Sequence, residues 1–185
     1  MSRGNLTYHF KDKDALLKAL AEEMWSMLSA ERRRTRGFPS FENLHHNART
    51  LYKVQKTFSF IFLDHNVLNH PLLEAQFGRI REELVEDNRM AIAFAIRIGN
   101  MSPEKIPGTY ENLAYVTWMI SFYWLSQETF SSSDEEESCE RVLWKLLLPH
   151  FTDKGIASFI KYFGKDYYAS LGKPFNQEID KFMTL

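Results

Sequence analysis

The stretch "SRGNLTYHFKDKDALLKAL", residues 2–20, runs two helix signals together with only a turn between them. Ser2 N-caps a short helix that closes near Phe10. The turn Lys11-Asp12-Lys13-Asp14 follows, and Asp12 N-caps a second, longer helix at once. In that helix Leu16, Leu17, Leu20, Met24, Met27 and Leu28 recur at helical spacing. "ERRRTRGFPS" (residues 31–40) stops it, with Gly37 and Pro39 as breakers. Leu6 and Phe10 lie four apart, so they share a face that packs inward and turn Arg3, Asn5 and Thr7 outward. Arg and Asn are side chains that read base edges in a major groove, while Tyr8, Lys13 and the N-terminus capped by Asp12 suit phosphates. On these residues alone an ordinary pair of helices with polar outer faces is the preferred reading, since such corners are common.

The rest of the 185 residues keeps the helical period, and no alternating run is bounded by hairpin turns. Helices are expected over residues 39–63, 71–99, 109–131, 136–148 and 153–171, the first opened by Ser40 or Pro39 and the last capped by Asp153. "DHNVLNHP" (64–71) reads as a joint, "NMSPEKIPG" (100–108) and "SSSDEEES" (131–138) as loops. The fold class is therefore all-α. An aromatic share of 15% supplies large rings for a core without staples, and the one cysteine, Cys139, closes no intrachain disulfide. A reducing, cytoplasmic setting follows, since residues after Met1 are polar and the apolar run 114–125 is shorter than a bilayer span. Charge is uneven. Up to Arg36 there are eight Lys/Arg against five Asp/Glu, and beyond it fifteen against nineteen, so a basic end sits on an acidic body.

With those residues in view, residues 2–20 resemble the end of the DNA-binding domain of TetR-type transcriptional regulators. In that family a short recognition helix ends in a Tyr-x-Phe or Tyr-His-Phe motif. A Lys-rich turn follows, and then a long helix that leads to the ligand-binding body. Tyr8, His9 and Phe10, then Lys11 and Lys13, then Leu16 and Leu17 stand in those places. The resemblance implies a TetR-like bundle with DNA contacts by Arg3, Asn5, Thr7, Tyr8, His9, Lys11 and Lys13. It divides the chain into a helix-turn-helix remnant (1–14), a linking helix (15–36) and a ligand-binding and dimerisation domain (37–185). The family carries two helices ahead of this point, and this sequence shows none, so the helix-turn-helix is incomplete here. Leu6 and Phe10 then lack their supporting face, and residues 2–10 are expected to fray or to pack in a non-native way. Either the native start lies upstream of Met1 or the lineage has lost DNA binding; the base-contact residues that persist favour the first.

The resemblance further implies a small apolar or amphipathic effector and a homodimer, with operator DNA as partner if the two leading helices exist. Residues 52–62 and 115–130 supply Tyr52, Phe58, Phe62, Tyr115, Trp118, Phe122 and Gln127, the apolar-with-few-polar composition of a ligand pocket. Asn88 and Phe94 join them, because the stripe of helix 71–99 is interrupted at Asp87 and Asn88. For each aromatic the alternative is plain core. Helix 109–131 is apolar nearly all round, so Met119, Tyr123 and Trp124 are expected at a dimer interface with Val142, Leu143 and Leu146, as a four-helix bundle.

No cofactor or metal site is expected. Glu42 and His45 form one E-x-x-H pair where di-iron bundles need two, and neither a Gly-rich phosphate loop nor a G-x-S-x-G nor an H-E-x-x-H occurs. Cys139 stands at a helix start with no His partner and reads as an inert thiol. An enzyme on this bundle is not expected. The competing reading is a dimeric helical module that binds a ligand or a protein without touching DNA.

Overall fold

A computed structural model describes residues 10–35, 39–130 and 137–172 as a run of helices. In chain order these are α1 (Lys13–Thr35), α2 (Phe41–Thr57), α3 (Ser59–Leu63), α4 (His65–Leu68), α5 (Pro71–Arg97), α6 (Thr109–Glu128), α7 (Cys139–Leu147), a 3-10 turn (Leu148–His150), α8 (Asp153–Phe163) and α9 (Lys165–Ser170). There is no strand among the described residues; the β-type contact they contain is an isolated bridge between Met101 and Phe151. The expected short helix 2–10, apart from Phe10, lies outside the described residues.

The long helices start where side chains supply the missing backbone partners. Asp12 Oδ1 accepts from the Ala15 amide at 2.8 Å, Ser40 Oγ from Asn43 at 3.1 Å, and His70 Nδ1 from Leu72 at 3.3 Å, with Pro71 in the first turn of α5. Three expected boundaries are corrected. Helix 39–63 breaks at Phe58, whose φ of −111° and ψ of 38° leave the helical region, and the break lets Phe58, Ile61 and Phe62 all enter the core. The joint at 64–71 winds into α4, because Asp64 Oδ1 accepts from Asn66 and Val67. Helix 153–171 is capped by Thr152, not Asp153, and is cut at Gly164, where φ of 92° suits a glycine. The ends also shift: α6 closes at Glu128 rather than near 131, and α7 opens at Cys139 rather than near 136.

α5 and α6 run antiparallel and pack most extensively. Phe77 meets Phe122 edge-on at 5.3 Å, Asn88 Nδ2 donates to the Ala114 carbonyl at 3.0 Å, and Arg89 donates to Glu111. Against this pair lie α1 and α2, whose Ala21, Met24, Trp25 and Val54 share a core with Phe58 at the break and with Phe62, Leu73, Phe122 and Leu125. Gln55, fully buried on α2, donates through Nε2 to the carbonyls of Ser121 and Phe122 on α6, both at 2.9 Å. A second, aromatic core forms where Phe41 and Trp144 meet Phe159 and Phe163 of α8.

The C-terminal end of α5 is stitched to α8. Gly99, with φ of 78°, closes α5 in a Schellman pattern: the Gly99 amide bonds the Ile96 carbonyl, and the Asn100 amide bonds that of Ala95. Thr152 then donates its amide to the Asn100 carbonyl at 3.0 Å and its hydroxyl to that of Gly99 at 2.7 Å. Gly155 on α8 sits directly on this turn.

Candidate functional site

Between α1, α2, α5, α6 and α7 lies a cavity of about 490 Å³. That is within the range of small-molecule sites, about 300–1,000 Å³. Its apolar walls include Trp25 and Leu28 of α1, Leu51 of α2, Ile80 of α5, Trp118 of α6 and Trp144 of α7. Its polar side is charged. Arg32 of α1 donates to Glu83 of α5 and, at 2.7 Å, to Asp87 one turn further on. This clasp ties the C-terminal part of α1 to the middle of α5. Glu31 also faces the cavity and accepts from His46, a bond that holds its carboxyl below the usual range. Across the cavity, Trp144 Nε1 donates to His45 Nδ1 at 3.3 Å. Burial holds the His45 imidazole below its ordinary pKa, so at neutral pH the ring is uncharged with its proton on Nε2.

A second cavity of about 340 Å³ adjoins the first. Leu44, Asn88, Thr117, Trp144 and Leu147 line both and form the shared wall. Beyond that wall the second cavity is almost wholly apolar, with Ile92, Phe94, Ile98, Met101 and Phe151 around it and Glu42 as the one charged side chain among its described residues.

The structure sorts the residues expected at a pocket. Trp118 lines the first cavity, Phe94 the second and Asn88 both. Phe58, Phe62 and Phe122 do not reach either; they interlock in the core, with Phe62 and Phe122 edge-on at 5.6 Å. Tyr52 instead donates to Glu128 at 2.6 Å, and Gln127 is exposed near the end of α6. Of the expected interface residues, Met119 and Tyr123 are exposed on α6, and Val142 and Leu146 are half-buried on α7. Trp124 and Leu143 are buried within the chain, packed with Ala48 and Cys139, so neither is open to a partner. Lys11 and Lys13 are exposed, whereas Arg3, Asn5, Thr7, Tyr8 and His9 lie outside the described residues.

Several wall residues were not anticipated: Trp25, Arg32, His45, Glu83, Glu140 and Trp144. Arg32 was hidden in the run "ERRRTR", which reads as one solvated basic patch. Successive helical residues turn by 100°, so the three arginines diverge. Arg32 faces α5, Arg33 is exposed, and Arg34 returns to Glu31 and His46. The interruption of the α5 stripe at Asp87 was the visible half of the same feature.

Cys139 is 1% exposed, and burial pushes its thiol up to about 12. At pH 8 its thiolate fraction is then about a thousandfold below that of an ordinary cysteine. We expect a chromogenic disulfide reagent to leave the native protein unlabelled for hours and to titrate one thiol on unfolding. Rapid labelling of the native protein would show that α7 does not seal this site.

No helix among the described residues is long and apolar enough to cross a membrane. No curated protein matches the sequence. A family profile, TetR, described as bacterial transcriptional repressor, matches residues 16–159, well over half of the chain. The match runs from the first turn of α1 into α8 and takes in both cavities except Tyr162. With an all-helical fold built on these elements, the chain belongs to the TetR family of transcriptional regulators.

Proposed function

We propose that this protein is a ligand-responsive, cytoplasmic DNA-binding repressor that works as a homodimer. The observation that carries the reading is the position of α1. The helix that follows the Tyr8-His9-Phe10 motif is also a wall of the larger cavity, through Trp25, Leu28 and Arg32. A small apolar or amphipathic effector in that cavity touches the helix that carries the DNA-reading segment. The effector need only bind one setting of α1 more tightly than another to change the spacing of two reading heads.

In this reading residues 1–14 belong to the reading head, 15–36 link it, and 37–185 bind effector and partner. Arg3, Asn5 and Thr7 meet bases, and Tyr8, His9, Lys11 and Lys13 meet phosphates. The partner copy covers the α6 face bearing Val116, Met119 and Tyr123, which recur at helical spacing and are 38%, 50% and 44% exposed, together with Val142 and Leu146 of α7.

The test uses protein isolated from its native source and duplex DNA from the region upstream of its own gene. Binding should fall steeply between about 50 and 200 mM salt, as phosphate neutralisation requires. Absence of duplex binding at low salt would overturn the DNA reading. On gel filtration at micromolar concentration the protein should run as a dimer. Met119→Glu with Tyr123→Glu should weaken that dimer at least about a hundredfold, by placing like charges in an apolar contact. A wild-type monomer would refute the interface.

A further inference from the structure

We propose that the effector is an amphiphilic organic cation whose charged head takes the place of Arg32 between Glu83 and Asp87 and whose apolar tail enters the second cavity. The inference rests on the reading of the larger cavity as the effector site and adds a chemical class and a release mechanism to it.

Charge carries the first half. The larger cavity is lined by four carboxylates, Glu31, Glu83, Asp87 and Glu140, against two guanidinium groups, Arg32 and Arg79, and His45 is neutral. Glu31 and Glu140 are also paired from outside the lining, by Arg34 and Arg49, so the charge that favours a positive guest over a negative one is concentrated where Glu83 and Asp87 share Arg32. Three tryptophans, Trp25, Trp118 and Trp144, stand in the same wall, and indole faces favour organic cations. The carboxylates of Glu83 and Asp87 are 56% and 47% exposed, while the Arg32 side chain between them is 28% exposed. They are therefore open to a competitor from the cavity side. A cation that displaces Arg32 leaves no carboxylate without a positive partner, and the freed guanidinium, which is 28% exposed in the clasp, must turn out to solvent near the end of α1.

Shape carries the second half. The shared wall of Leu44, Asn88, Thr117, Trp144 and Leu147 puts the apolar second cavity next to the charged one. Asn88 lies one residue beyond Asp87 on α5, so a head at Asp87 leaves its tail beside the shared wall. Each methylene buried there should raise affinity about fourfold.

Regulation follows from which helix each partner occupies. Arg32 is on α1, and Glu83 and Asp87 are on α5. A head group that holds both carboxylates removes the clasp between the linking helix and the body, and the last turns of α1 are released from α5.

The experiment compares decyltrimethylammonium, decanol and decyl sulfate by calorimetric titration of the full chain, all below micelle formation. The cation should bind at least about tenfold more tightly than decanol, and decyl sulfate more weakly than either. Arg32→Gln should strengthen the cation severalfold and leave decanol unchanged, because it removes the competitor. Glu83→Gln with Asp87→Asn should abolish the preference. Hydrogen exchange in the last turns of α1 should quicken with the cation and not with decanol. If decanol or decyl sulfate equals the cation, the charge assignment is overturned while the cavity remains a ligand site. If none of the three binds, the effector-cavity reading falls with it. If the cation binds preferentially but leaves exchange in α1 unchanged, the release mechanism is overturned.

Discussion

Gly155→Ala should lower the melting temperature by about 10 °C. A Cβ at residue 155 would lie 2.0 Å from the Asn100 carbonyl oxygen, 2.9 Å from its carbon and 3.1 Å from its Cα. All three are backbone atoms, so no side chain can swing aside. The turn they belong to cannot retreat either, because the Asn100 amide is bonded to Ala95 and its carbonyl to Thr152. α8 would have to lift off the end of α5. Overpacking of this kind costs about 3 kcal/mol, and for a domain of this size about 1 kcal/mol moves the midpoint by roughly 2–4 °C. Gly78→Ala is the control. Gly78 lies within α5 with nothing within 4 Å of a built Cβ, so the same substitution should stabilise by about 0.5–1 kcal/mol. Thermal unfolding followed by helical circular dichroism reads both. A Gly155→Ala variant that melts with the wild type would show that α8 is not seated on the turn after α5.

The clash at Gly155 illustrates what one-dimensional reading misses. Caps and apolar stripes are local, and they placed the starts of α1, α2 and α5 through Asp12, Ser40 and Pro71. The break at Phe58 was invisible, because no Gly or Pro marks it and the reason for it is the core that receives Phe58 and Phe62. The cavity was legible in its chemistry and less so in its residues. An aromatic that fills a core and one that walls a cavity look alike in sequence, so Phe122 and Trp118, four apart on α6, part company only when α5 packs beside them. The clasp needed two helices at once: Arg32 and Asp87 are 55 positions apart, and neither is unusual alone. Trp124 went astray for a related cause. An all-apolar helix suggests it for a partner copy, but α2 and α7 of its own chain already cover it.

Gln55→Glu should be the most pH-dependent lesion in the molecule. Gln55 is fully buried, and its Nε2 supplies polar hydrogens to two α6 carbonyls. Its Oε1 has no hydrogen-bond partner among the described residues, so no donor there stands ready to receive a negative charge. A carboxylate at this position would set oxygen against the carbonyls of Ser121 and Phe122, so the folded variant must keep the introduced carboxyl protonated and donate to one of them. The folded pKa of that carboxyl is then raised above its unfolded value of about 4.3. The sign follows: below that value both states bind the proton, and the variant loses about 1 kcal/mol for one missing hydrogen bond. Above it only the folded state binds the proton, so the deficit shrinks or grows according to which state is favoured by protonation. Here deprotonation favours the unfolded chain, and the deficit grows by about 1.4 kcal/mol per pH unit until the folded pKa is reached. At pH 7 the total amounts to as much as about 5 kcal/mol, which is a large share of the stability of a domain this size. Gln55→Met keeps the length without the charge and should lose about 1–2 kcal/mol independently of pH. The measurement is the difference from wild type in urea unfolding at pH 5, 6 and 7. A flat difference for Gln55→Glu would mean that water reaches the α2–α6 contact. A rising one would show that the helix pair carrying Leu51 and Ser121 of the larger cavity is sealed on its far side, leaving the α1 side as the face an effector can move.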